Sequence, residues 1–313
     1  MHIHAATLAE FGGGGPACTN QGRLTLRGWD PRRPLTPERL IACDSSVASS
    51  RTDALVMRET LDMLMRNNAR AVTIGPPDRI NAWHAASPTR VIRSVAFTDR
   101  SLTPEDYRRL YARGEFELFG EITAQYRGLL LSDSVYEPYF SLAEDLDIPV
   151  GVHLGEGPPG GAHFLGPTDS PSAYRVGLGN PLQLEPILIK HPRLRIYVMH
   201  FGSPFVDDMI AMLYSHPQLY VDIAQNDWGF PLDHFYSQLK RLVDAGFGER
   251  IMFGSDQMIW PRTIEIALKT INDAAFLTEQ QKRDILYDNA ARFLRFTEAE
   301  IARDYGREVP DTR

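Results

Sequence analysis

From residue 70 onward, short runs of β-branched and apolar residues alternate with longer segments whose apolar positions recur at helical spacing. Continuous or period-two apolar runs read as strands, and apolar residues at i, i+3 and i+4 read as one face of a helix. The strands fall at 71–75, 91–97, 116–123, 149–154, 195–202, 219–225 and 251–256, and residues 1–4 add an eighth. The segments at 51–67, 104–113, 135–146, 182–190, 206–215 and 232–245 are amphipathic and long enough for crossover helices. Thr103-Pro104-Glu105 supplies a cap with proline in the first turn, and Gly246 follows the 232–245 segment. Parallel strands joined by right-handed crossovers are the arrangement this alternation calls for.

Eight such units predict a single-domain TIM (β/α)8 barrel over residues 1–296, with 297–313 as a peripheral tail. The open doubly wound sheet is the competing fold, and it is weakened because no Gly-x-Gly-x-x-Gly turn follows any strand. The glycine run at 12–15 has no strand directly before it and reads as flexible loop. Residues 5–50, rich in Gly, Pro, Ser and Thr, and residues 155–180, which begin Gly-Glu-Gly-Pro-Pro-Gly-Gly, interrupt the pattern after strands 1 and 5. Both would rise from the face of the barrel where active sites lie, so both read as lids. The segments 264–272 and 279–296 read as closing helices.

Composition narrows the class. With 43% hydrophobic residues in 313, the chain can bury a large core. A net charge of −7 without clustered Lys or Arg argues against nucleic acid as a partner. No apolar run approaches the roughly 18–20 residues of a membrane span. The chain opens almost directly on a histidine pair, with no basic and apolar signal region, so as written it reads as cytoplasmic. Removal of an export signal, giving a periplasmic or secreted protein, is the alternative. Cys18 and Cys43 both fall in the 5–50 segment and are expected to be reduced thiols; a disulfide would favour the exported alternative. Assembly into a homo-oligomer is left open.

The chemistry sits at the strand ends. His2 and His4 are two apart on a strand, which places both imidazoles on one face and suits a shared metal. Alone, such a pair is weak. His153 closes Pro149-Val150-Gly151-Val152, and His200 closes Ile196-Tyr197-Val198-Met199. A single strand-end histidine is more often structural; two of them plus the initial pair point to one centre. Asp256 ends the last strand, where its competing reading is a helix cap. Glu121 ends the fourth strand, pointing into the mouth to bridge metals or hold a water, or else pairing with a cation such as Arg127.

With those residues assembled, the chain resembles the amidohydrolase superfamily, specifically its amidohydrolase-related (amidohydrolase 2) branch, over essentially its whole length. The matching motifs are His2-Ile3-His4, Gly151-Val152-His153, Val198-Met199-His200-Phe201-Gly202, Tyr220-Val221-Asp222 and Phe253-Gly254-Ser255-Asp256. Asp288-Asn289-Ala290-Ala291-Arg292-Phe293 is similar to the family's closing helix. The resemblance implies that His2, His4, His153 and Asp256 hold a divalent metal, zinc as a rule, and that His200 contacts a second metal or serves the substrate. One or two ions are therefore expected. Glu121 resembles the bridging carboxylate of binuclear relatives.

The expected reaction is hydrolysis of an amide, lactone or ester in a small, cyclic or aromatic molecule by a metal-activated water. Asp256 is the expected general base and then acid, and His200 the expected oxyanion partner. Substrate contacts are expected from Gln125 and Tyr126, from Gln225, Asn226 and Trp228, and from Gln257 and Trp260, with both tryptophans equally readable as packing residues. The same branch contains metal-dependent decarboxylases of aromatic acids, and an arginine facing the substrate carboxylate would mark that alternative. A barrel that holds metal without turnover is the remaining reading.

Overall fold

Twelve short strands organise the computed structural model of the protein, which describes residues 1–36, 40–164 and 173–307. In chain order they are β1 (His2–His4), β2 (Pro16–Cys18), β3 (Leu24–Leu26), β4 (Ile41–Cys43), β5 (Ser46–Ala48), β6 (Ala71–Ile74), β7 (Val91–Val95), β8 (Leu118–Ile122), β9 (Val150–His153), β10 (Ile196–Met199), β11 (Leu219–Asp222) and β12 (Ile251–Met252). Eight of them form one parallel sheet in the order β1-β6-β7-β8-β9-β10-β11-β12. A bridge from Ile3 to Gln257, with Gln257 O accepting from His4 N at 2.7 Å and His2 O accepting from Asp256 N at 3.1 Å, joins β1 to the segment after β12. The result is a TIM-barrel-like α/β fold.

Strands β8, β9 and β10 are buried at every position, as expected where helices cover one face of a curled sheet and side chains fill the other. Val72, Ile74, Leu118, Tyr197, Met199 and Met252 pack inside, with Phe293 against them. Gly151 makes this filling work: a Cβ there would stand 2.6 Å from both Met199 Cε and the Tyr197 ring. On the outer face, Phe97, Tyr107, Phe116, Phe119, Tyr139 and Phe140 form an aromatic layer beneath the helices Pro104–Ala112 and Glu137–Asp145. Thr103 caps the first of these helices through a reciprocal bond with Asp106, and Pro104 follows it.

Several elements differ from the sequence reading. The helix Pro77–Ala86 fills the connection between β6 and β7; it has only Ile80 and Trp83 buried, too few apolar positions to show a period. The strand read at 251–256 ends at Met252, because the chain then turns inward and Asp256 N bonds to His2 O. The closing segment is split into Glu279–Arg283, a π-turn at Asp284–Asp288 and Asn289–Leu294.

The 5–50 segment is more ordered than a loop. β2 pairs with β5 and β3 with β4, both antiparallel, and the Cys18–Cys43 disulfide joins the two ribbons. This corrects the expectation of reduced thiols: the pairing of β3 with β4 carries Cys43 alongside β2, with its Cα 5.7 Å from that of Cys18. The ribbons dock on the barrel mouth, where Trp228 O accepts from Asn20 N at 2.8 Å and Gly15 O accepts from Trp260 Nε1 at 2.7 Å. Residues 37–39 of this segment lie outside the described residues. In the 155–180 segment, Gly161–Phe164 and Val176–Gly179 are short helical turns, and 165–172 lie outside the described residues. The two segments meet where the Trp29 and His163 rings stand 5.4 Å apart. The tail contributes the helix Glu298–Asp304, and residues 308–313 lie outside the described residues. No helix among the described residues is long and apolar enough to cross a membrane.

Candidate metal centre

The parallel register brings the strand ends, and the residues that follow them, to one mouth. Four imidazoles and two carboxylates converge there as two adjacent groups, His2 with His4 and Asp256, and Glu121 with His153 and His200. Within each group the candidate ligand atoms lie within 4.8 Å of one another. In the first group Asp256 Oδ1 lies 3.3 Å from His2 Nε2 and 2.9 Å from His4 Nε2. In the second, Glu121 Oε1 contacts His153 Nδ1 and stands 3.2 Å from His200 Nε2, while the two imidazole nitrogens are 3.0 Å apart. Glu121 Oε2 reaches across to His4 Nε2 at 3.4 Å. One carboxylate therefore touches both groups, and its polar partners are imidazoles rather than Arg127.

Backbone geometry aims these side chains. His200, Phe201, Gln225 and Asp256 all have positive φ, between 39° and 65°, an unfavourable region for side-chain-bearing residues that concentrates at functional sites. The His200 ring is held by Ala224 O accepting from Nδ1 at 2.9 Å, which leaves Nε2 facing the cluster. Tyr126 OH lies 2.7 Å from His153 Nε2. Asp222, at the end of β11, stands 2.5 Å from His2 Nδ1 through Oδ2.

Burial opposes charge on the imidazoles, but at His4 and His200 the carboxylates outweigh it. His4 is pushed up to about 9 by Asp256 and Glu121, and His200 to about 9 chiefly by Glu121. Burial likewise opposes ionisation of the acids, yet the surrounding imidazoles hold Glu121 and Asp256 well below the carboxylate range. His153 is lowered by burial, with the neighbouring His200 charge adding to it. Protons on imidazoles are thus the compensation for two ionised, buried acids. The donor set fits a divalent cation, which would replace those protons. His4 Nε2 supports this fit: although near two carboxylate oxygens, it is buried and has no hydrogen-bond partner of suitable direction.

The seven residues expected to touch substrate are distributed more widely. Tyr126 contacts the cluster. Gln125 is buried with Nε2 3.4 Å from Gly155 O. Asn226 Nδ2 donates to His200 O at 3.0 Å, and Trp228, buried, donates to Ser255 O at 2.5 Å. Gln225 packs its amide over Gly229, and Gln257 spends its amide on Met258 O at 2.6 Å. Trp260 donates to Gly15 O and packs edge-on against Phe11. Most of these groups therefore hold the mouth loops together.

A cavity of about 500 Å³ beside Glu121 is lined by Ala96, Thr98, Asp99, Thr123, Tyr126 and Arg127. A larger hollow of about 660 Å³, between Tyr220, Phe247, Arg250 and Arg292, lies at the opposite end of the barrel, away from every residue of the cluster. Size therefore does not mark the site; convergence of donors does. Sequence reasoning placed Asp222 only in the Tyr220-Val221-Asp222 motif and gave it no role, although it ends a strand as His153 does, and that shared position was the available signal.

Fold and cluster together define an α/β-barrel protein with a metal-capable centre at the strand C-termini. The sequence profile of the family described as Amidohydrolase matches residues 1–296, and the chain belongs to that metal-dependent enzyme family. No match was found among curated proteins. Among solved structures, an uncharacterised TIM-barrel protein from Bordetella bronchiseptica is similar with a TM-score of 0.58 at 16% identity, over 77% of this chain and 90% of that one. The 5-carboxyvanillate decarboxylase of Sphingomonas paucimobilis gives 0.56 at 16% identity, over 76% and 82%. A probable 2-pyrone-4,6-dicarboxylic acid hydrolase from Acinetobacter baumannii gives 0.56 at 16% identity, over 77% and 89%. These likenesses concern the fold, which serves both hydrolases and decarboxylases.

Proposed function

We propose that the protein is a metal-dependent hydrolase that cleaves an amide, lactone or ester bond of a small, cyclic or aromatic molecule. The observation that carries this reading is Glu121, whose Oε1 faces His153 and His200 of its own group while Oε2 faces His4 of the other, as a carboxylate shared by two ions would. His2, His4 and Asp256 would hold one ion, and Glu121, His153 and His200 the other, with zinc suited to the nitrogen and oxygen donors. A bound divalent cation supplies Lewis acidity, lowering the pKa of water and polarising an acyl oxygen.

The chain's own residues supply the rest. Asp256, kept ionised, takes a proton from the attacking water and returns it to the leaving group. The Ala224 carbonyl accepts from His200 Nδ1 and so leaves the Nε2 lone pair facing the cluster, where His200 would serve as a ligand. Tyr126 OH both steadies His153 and lines the cavity in which the substrate would sit.

A second reading, non-oxidative decarboxylation of an aromatic acid, is favoured by one observation: Arg127 lines the same cavity and forms no ion pair among the described residues. Incubating zinc-loaded protein with amide, lactone and ester panels alongside aromatic carboxylic acids separates the two. Hydrolysis without carbon dioxide release supports the first reading, and carbon dioxide release with no hydrolysis replaces it with the second. The Cys18–Cys43 disulfide supports an oxidising, exported setting over the cytoplasm.

A further inference from the structure

Asp222 is buried, and each of its oxygens serves a different half of the cluster. Oδ2 lies 2.5 Å from His2 Nδ1, while Oδ1 accepts from His200 N at 3.0 Å and from Ala224 N at 3.1 Å. Two main-chain donors on one oxygen fix the rotation of the carboxylate and so the direction of the other. An ionised carboxylate only accepts, so the hydrogen of that short contact resides on His2 Nδ1. A neutral His2 then carries its lone pair on Nε2, the nitrogen that faces Asp256. The contact also has a space requirement. At Gly254 a Cβ would stand 3.3 Å from both His2 Nδ1 and Asp222 Oδ2, and 2.7 Å from Ala224 Cβ.

We infer that Asp222 is a positioning residue: it selects the His2 tautomer that makes the His2, His4 and Asp256 group competent for a divalent cation, while bracing the backbone of His200. This rests on the reading of the cluster as a metal centre. The His2 imidazole is aimed by a residue that would not itself touch the ion, as ligating histidines generally are.

The discriminating substitution is Asp222→Asn. An asparagine can keep its oxygen on the His200 and Ala224 amides while turning an NH2 donor toward His2 Nδ1. That nitrogen must then accept, the ring hydrogen moves to Nε2, and the ligating lone pair is lost. Two measurements follow, both on the full chain. In 15N NMR of histidine-labelled, zinc-loaded protein, the His2 hydrogen is expected on Nδ1 in the wild type and not in the variant. In cobalt(II) titration of chelator-stripped protein, the variant is expected to keep the wild-type circular dichroism and the binding step of the Glu121 group, while the other step weakens by at least about 10-fold.

A His2 hydrogen on Nε2 in the wild type, or unchanged cobalt affinity in a folded variant, would overturn the assignment. Should Asp222→Asn not fold, the wild-type tautomer and a Gly254→Ala variant, which crowds the same contact, decide the matter: wild-type affinity in the latter counts against it. Wild-type protein that binds cobalt and shows His2 Nδ1–H when zinc-loaded, yet turns over no member of the amide, lactone and ester panels, would remove the proposed function and leave this assignment standing.

Discussion

The two ends of the barrel treat charge in opposite ways. At the N-terminal end, carboxylates meet arginines: Asp147 lies 2.8 Å from Arg195 and also contacts Arg295, Glu117 lies 2.8 Å from Arg93, and Glu300 and Asp304 lie 3.1 and 3.4 Å from Arg70. At the mouth, Glu121, Asp222 and Asp256 meet imidazoles, and none of the three pairs with a lysine or arginine among the described residues. The lower pairs are permanently neutralised, partly exposed clamps. The upper acids are deeply buried and compensated by protons that can leave. A buried group of acids with exchangeable compensation is the expected form of a cation site.

The comparison is broken most severely by Asp256→Asn, which is expected to lower kcat by about 10³-fold, whereas Asp147→Asn at the lower end leaves kcat unchanged; steady-state kinetics on an identified substrate checks both. Next is the effect of pH on chelator-stripped protein. His4 and His200 are raised from 6.5 to about 9, so their contribution is fully present below about 6.5 and is lost as pH rises toward 9. Glu121 and Asp256 are depressed, so theirs is present above the ordinary carboxylate range and lost on acidification. Metal-free protein should therefore melt highest between about pH 5 and 6.5, and metal should add most at the alkaline side, a difference on the order of a few kcal/mol. Melting curves with and without zinc from pH 5 to 9 test this; a gap that narrows as pH rises would refute it.

A smaller change is expected from the cover over the mouth. The disulfide closes 25 residues of chain, and the double variant Cys18→Ser, Cys43→Ser should lose about 3 kcal/mol in denaturant unfolding, with early proteolysis inside 5–50. The smallest effect belongs to the lower end. Arg70→Ala removes two partly exposed ion pairs and should cost about 1 kcal/mol without altering metal content, as melting and metal analysis together would show.

Legibility in the sequence followed the same division. The strands that carry the cluster were readable because burial on both faces leaves continuous apolar runs, as in Val150–His153 and Ile196–Met199. The histidines were readable because each stands at the end of such a run. What escaped depends on contacts distant in sequence. The position of Asp222 at a strand end was legible, but its partner was not, because His2 lies 220 residues away, and the ribbons of 5–50 have too few buried positions to show a strand period. The candidate substrate residues lie after strands, but main-chain carbonyls of adjacent loops occupy most of them, as for Asn226 and Trp260.

The most direct test of the mouth as a metal centre is elemental analysis of zinc-loaded protein after exhaustive dialysis. About two ions per chain are expected for the wild type, falling toward one in Glu121→Ala, in line with a carboxylate shared between two ions. A wild-type protein that retains no zinc, or retains the same amount when His2, Glu121 and Asp256 are replaced in turn, would contradict it.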